Sequence, residues 1–230
     1  MELSPFLQAA KSGDLEQVKK LHKAGADLNE TSKSGSSALI YAAENGHMDV
    51  VKYLIENGAD PAIQTKMGGT ALNRAAEADN LEMMKYLLDS GTPIGNLALI
   101  VAAREGNLEA VELLVNNGAD INAQQRWGQT ALMLAAREGH IPVIKFLLES
   151  GANVRLNDKN GDTALNIALD NDNPDIAMQL RRAGAKAQTK KKVTAVVDDE
   201  DDEDASADVE DLIKEDEDVP PEDVDLDDEL

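Results

Sequence analysis

The stretch Asn45-Gly46-His47-Met48-Asp49-Val50-Val51-Lys52-Tyr53-Leu54-Ile55-Glu56-Asn57-Gly58-Ala59-Asp60 decides how this chain folds. From Met48 to Ile55 its apolar residues recur at helical spacing. Gly46 breaks whatever precedes this segment, and Gly58 ends it as a left-handed C-cap. Working outward, Ser37 stands before another apolar-periodic run and offers the hydroxyl that an N-cap needs. The local reading is helix, tight turn, helix and polar connection.

The same pattern recurs along the chain. Ala42-Ala43 has counterparts in Ala9-Ala10, Ala75-Ala76, Ala102-Ala103 and Ala135-Ala136, weakening to Ala168-Leu169, at steps of 33, 33, 27, 33 and 33 residues. Gly25, Gly58, Gly91, Gly118, Gly151 and Gly184 keep the same steps. Two independent markers in phase over six units establish an internal repeat. Ser4, Ser37, Thr70, Thr130 and Thr163 precede the first helices, and Gly13, Gly46, Gly106 and Gly139 break them about nine residues later. Asp79 and Asp172 take that place in two units, as residues that tolerate the left-handed region. The paired alanines let two helices approach closely. No unit can bury its own apolar face, so the units must stack.

Gly-Gly-Thr-Ala-Leu (68–72), Asn-Gly-His-Met-Asp-Val-Val-Lys-Tyr-Leu (45–54) and Asn-Gly-Ala-Asp (57–60 and 117–120) resemble the ankyrin repeat, over residues 4 to about 187. The resemblance implies an all-α repeat solenoid of six helix-turn-helix units. It also implies short β-hairpin fingers that form a concave binding face with the inner helices. The family's Pro and His after the Thr are missing here: Thr70 is followed by Ala71-Leu72-Asn73 and Thr130 by Ala131-Leu132-Met133. The step of 27 places Gly95-Asn96-Leu97 directly after Gly91-Thr92-Pro93-Ile94, so one finger is deleted and Leu97 stands where a hydroxyl cap is expected.

The ends read as caps. Interior second helices carry Tyr53 and Ile55, Tyr86 and Leu88, Leu113 and Val115, Phe146 and Leu148, whereas the terminal counterparts are Lys20 and His22, and Gln179 and Arg181. Polar outer faces are what an array end requires. Residues 1–187 are therefore expected to form the repeat domain, with a net charge of −6 within the −22 of the whole chain. Residues 188–230 carry −16: a Lys190-Lys191-Lys192 linker precedes an acidic block in which Val209, Leu212 and Ile213 keep helical spacing. Such a segment repels itself and is expected to be a disordered tail. It would engage or screen a basic surface, or alternatively occupy the protein's own basic finger row until displaced.

Catalytic chemistry finds no footing in the sequence. The absence of Cys excludes thiolate nucleophiles and Cys-built metal sites. No phosphate-binding loop, nucleophile elbow or metal-spaced His pair is present, and no catalytic residue, metal or cofactor is expected. His22 sits on a polar helix face, while His47 and His140 fall where the resemblance implies a structural His. The acidic balance disfavours direct binding to nucleic acid. No apolar run approaches the roughly 18 residues of a membrane span, and Met1 to Asp14 lacks the form of a secretory signal. A cytoplasmic monomer that binds a protein partner with a basic surface is expected. The candidate contacts are Lys33, Lys66, Arg126 and Lys159, each two residues before a finger glycine, with Met67 and the sole tryptophan, Trp127, beside them. Exposed Trp next to Arg is a common anchor. On the inner helices the candidates are Glu77, Arg104 and Arg137.

Overall fold

The structure, a computed structural model, describes residues 3–186. Six helix pairs follow one another. The inner helices are α1 (Pro5–Ser12), α3 (Ala38–Glu44), α5 (Ala71–Glu77), α7 (Asn96–Glu105), α9 (Ala131–Glu138) and α11 (Ala164–Asp170). Their partners are α2 (Leu15–Lys23), α4 (Met48–Glu56), α6 (Leu81–Asp89), α8 (Leu108–Asn116), α10 (Ile141–Glu149) and α12 (Pro174–Arg182). Each inner helix packs on its own partner and on the inner helix of the next unit. The described part of the chain is thus the repeat solenoid that the periodicity predicts. The acidic block, the Lys190–Lys192 linker and the Val209–Ile213 spacing lie outside the described residues.

Local chemistry explains the helix ends. The hydroxyls of Ser4, Ser37, Thr70, Thr130 and Thr163 each accept a hydrogen bond from the amide three residues on. At Thr70 and Thr163 the cap works in both directions, because the hydroxyl also donates to the side-chain oxygen of Asn73 (2.9 Å) and Asn166 (2.8 Å). These buried asparagines occupy the place of the family's His and satisfy the Thr hydroxyl in its stead. Asp79 and Asp172 adopt φ of 51° and 54°, the left-handed turn that glycine makes in the other units.

The core is a continuous seam along the array. The alanine pairs at 42–43, 75–76, 102–103 and 135–136 are fully buried, as are Val51, Leu54, Met84, Leu87, Leu114 and Leu147. Tyr53, Ile55, Tyr86, Leu88, Leu113, Val115, Phe146 and Leu148 pack half-buried against it. Lys20 and Arg181 at the two ends are exposed. His47 and His140 hold units together: their Nε2 atoms donate to the carbonyls of Lys11 (3.0 Å) and Arg104 (2.8 Å) in the preceding unit. Asn107 and Asn173 reach the carbonyls of Ala76 and Ala136 from the same place in their own units. His22 meets the Tyr53 hydroxyl at 2.8 Å.

Two details differ from the sequence expectation. The described residues contain no strand: the fingers are tight turns, with one isolated antiparallel bridge between Thr31 and Ser37. Leu97 is not at the helix cap. Helix α7 reaches back to Asn96, with Gly95 as an N-cap that offers no side-chain hydrogen bond. The shortened connection from Gly91 lets the chain enter the helix early, and Leu97 turns its side chain toward Gly68 of the second finger.

Candidate protein-binding face

Four fingers project from the array, at residues 27–36, 60–69, 120–129 and 153–162, and each tip closes in the same way. The N–H of Ser32, Thr65, Gln125 or Asp158 donates to the carbonyl four residues on, and the carbonyl of the same residue accepts from the finger glycine. Neighbouring fingers are joined through their backbones. Lys66 N–H donates to the Ser34 carbonyl (2.9 Å), and Lys159 N–H donates to the Trp127 carbonyl (3.0 Å). At the finger bases, Asn29 Oδ1 accepts from Asp60 N–H and Asn122 Oδ1 from Asn153 N–H, both at 2.8 Å. Gln124 adds a bond from its amide to the Asn157 carbonyl. The row therefore consists of two stitched doublets with a gap between them, where the 27-residue step has removed a finger. At that junction Pro93 has no N–H to give, and Ala62 has no side-chain acceptor.

The sequence-derived candidates fall into two groups. Lys33, Lys66, Arg126 and Lys159 are all exposed on the finger row. Among the described residues, none of the four has a carboxylate within ion-pair distance. Met67 and Trp127 are the two most exposed large apolar side chains described, at 76% and 62%. Trp127 is also packed, with the Arg126 guanidinium 5.8 Å and the Lys159 ammonium 5.9 Å from its ring centre. These contacts orient the indole while leaving most of it in solvent. Lys33 borders a cleft of about 400 Å³ between the first finger and α1.

The inner-helix candidates are engaged with neighbouring side chains. Glu77 accepts from Arg74 Nη1 at 2.5 Å and lies 3.7 Å from Arg104 Nη2, which in turn is 2.7 Å from Glu105. With the Gln129 amide turned so that its oxygen faces the guanidinium, Arg137 Nη2 donates to it at 2.6 Å. These partly exposed pairs contribute little stability each. They do balance Arg74 and Arg104 with Glu77 and Glu105 on the inner surface, whereas the four finger cations have no such carboxylate partner among the described residues. Arg74 escaped the sequence reading, although its spacing of three from Glu77 was the available signal. The Lys11 ammonium, 5.7 Å from the Tyr41 ring centre, was likewise missed.

Among the described residues, no group of three or more His, Asp or Glu side chains is placed to hold a metal ion. No described helix is long and apolar enough to cross a membrane.

Comparison with known proteins agrees with this geometry. The family model for ankyrin repeats (three copies) matches residues 6–98 and again 99–191. One similar solved chain comes from the Bdellovibrio bacteriovorus predatory endopeptidase Bd0816 in complex with immunity protein Bd3460. It is 32% identical with a TM-score of 0.68, and the match covers 79% of this chain and 99% of that one. The ankyrin repeat domain of human ASB11 is 28% identical with a TM-score of 0.69, covering 80% and 85% of the two chains. No curated protein matches by sequence.

Proposed function

The chain belongs to the ankyrin-repeat family, whose arrays are protein–protein interaction modules and typically not enzymes, and on that premise we propose that it is a non-enzymatic adaptor, assembly factor or chaperone-like escort. It grips a protein partner through its finger tips and the adjoining inner helices, while the acidic segment 188–230 engages or screens a basic surface on that partner. The observation that carries this reading is the finger row. Met67 and Trp127 stand largely in solvent beside cations that have no ion partner among the described residues, and an exposed Trp next to Arg is the grouping from which interface anchors are made. The similarity to a chain from an endopeptidase–immunity complex supports a partner that is itself a folded protein.

The test is capture of partners by the full chain, identification by mass spectrometry, and titration of the purified partner. Replacing Trp127 with Ala is expected to raise the dissociation constant about fivefold or more, since truncating an aromatic anchor costs more than about 1 kcal/mol. An unchanged constant removes Trp127 from the interface. Deleting residues 193–230 is expected to lower affinity for a basic partner, and the loss should shrink as salt rises past about 0.15 M. A gain in affinity on deletion would favour the alternative reading, an autoinhibited regulator.

A further inference from the structure

The gap in the finger row is more than an absence, because it leaves a matched pair of backbone groups behind. In each intact doublet, the amide of the basic tip residue donates to the preceding finger, and the carbonyl of the next residue accepts from the following one. Lys66 to Ser34 and Lys159 to Trp127 are the two instances. At the gap the same rule leaves the Met67 carbonyl on one wall without a donor, and the Arg126 amide on the other without an acceptor. Neither makes such a bond among the described residues. The walls stand two repeat steps apart, roughly 16–20 Å for helices that pack 8–10 Å from one another. That is the span of one finger, with the Leu97 side chain lying against Gly68 where the next finger's backbone lies against Gly35 and Gly128.

The gap is also lined and charged. Its base is apolar, with the Leu97 side chain only 3.4 Å from where a Cβ on Gly68 would lie and Ile94 half-buried beside the core. Met67 and Trp127 stand at the tips of the two walls, and Lys66 and Arg126 place a cation on each side.

We infer that the gap is a docking slot for an acidic tight turn of the protein partner, which takes the place of the missing finger by accepting from the Arg126 amide and donating to the Met67 carbonyl. This rests on the reading of the finger row as the binding face. A turn fits better than a straight segment because an intact finger presents its outward donor and acceptor from two adjacent tip residues. An acidic residue at the first of these would lie between the Lys66 and Arg126 side chains, in a position to meet both cations. The complementarity sets orientation and partner choice.

The experiment uses the full chain and a fluorescein-labelled cyclised peptide whose turn reads Thr-Asp-Ser-Gly. Fluorescence anisotropy measures binding, and the single Trp127 reports arrival at the wall. The acidic peptide is expected to bind saturably. Replacing its Asp with Asn, or methylating the amide that faces Met67, should each weaken binding about tenfold. Lys66→Glu and Arg126→Glu should do the same from the protein side. A six-residue insertion after Pro93, restoring the 33-residue step, should abolish binding; its helix content by circular dichroism checks that it folds. Equal binding by the insertion variant, indifference to amide methylation, or no saturable binding up to about 1 mM would each overturn the slot. If the insertion variant retains the captured partner while Trp127→Ala loses it, the slot fails and the finger-row reading stands.

Discussion

Replacing Leu114 with Ala is expected to lower the unfolding free energy by about 2–5 kcal/mol, the range for truncating a buried leucine in a close-packed core. Leu114 has no exposed surface and lies on α8 in the fourth unit. Its position matters as much as its burial. Repeat arrays couple only through nearest neighbours, so a weak unit in the interior can separate the two halves. The third and fourth units share no finger stitching, so helix packing carries the coupling there with only the Asn107 bond to the Ala76 carbonyl and the Glu77–Arg104 pair beside it. Urea unfolding of the Leu114→Ala chain should therefore cease to be a single transition. Trp127 fluorescence, reporting the third and fourth fingers, should part from the helical circular dichroism signal, which reports the whole array. Leu180→Ala supplies the control, since that residue is equally buried but sits in the last unit. It should fray one end and leave the Trp127 midpoint nearly in place. Identical behaviour of the two variants would mean that the array melts as one block.

The contrast between these leucines also marks what could be read from the chain alone. Whatever depends on a residue and its near neighbours was legible: the Ser and Thr caps, the glycine turns, the left-handed Asp79 and Asp172, and the deletion of one finger. The tips of the existing fingers were legible too, because an exposed Trp127 and a basic residue two places before each finger glycine are properties of turn position. What escaped depends on how one unit is registered against the next. The bonds from His47, Asn107, His140 and Asn173 to the preceding unit span 31 to 37 residues, and no local pattern specifies them. The division of the finger row into two doublets is of the same kind. Helix α7 escaped for a related reason: its start follows from the shortened connection, which overrides the phase that the Thr series sets elsewhere. The pairing of Glu77 with Arg104 joins helices of different units, so two charges that stood as candidate contacts are engaged with one another.

Gly128→Ala is expected to cost about 2–3 kcal/mol, and its size would show how rigidly the second doublet is held. Two effects add. Gly128 adopts φ of 76°, where an L residue is disfavoured by about 1–2 kcal/mol. Its new Cβ would also lie 3.1 Å from the Asp158 Cα and the Lys159 amide nitrogen, backbone atoms that cannot swing aside. The neighbouring finger must move instead, which stretches the bond from Lys159 N–H to the Trp127 carbonyl. Gly161→Ala separates the two effects. Gly161 has φ of 84°, yet a Cβ there meets nothing within 4 Å, because no further finger follows among the described residues. That variant should show the conformational cost alone, partly offset by the smaller entropy of its unfolded chain. The difference between the two melting midpoints therefore measures finger stacking directly. If stacking also holds the indole in place, Gly128→Ala should shift Trp127 emission and weaken partner binding, whereas Gly161→Ala should do neither. Equal losses of stability in both variants would mean that the fingers adjust independently, and that the order of the row comes from the helices beneath it.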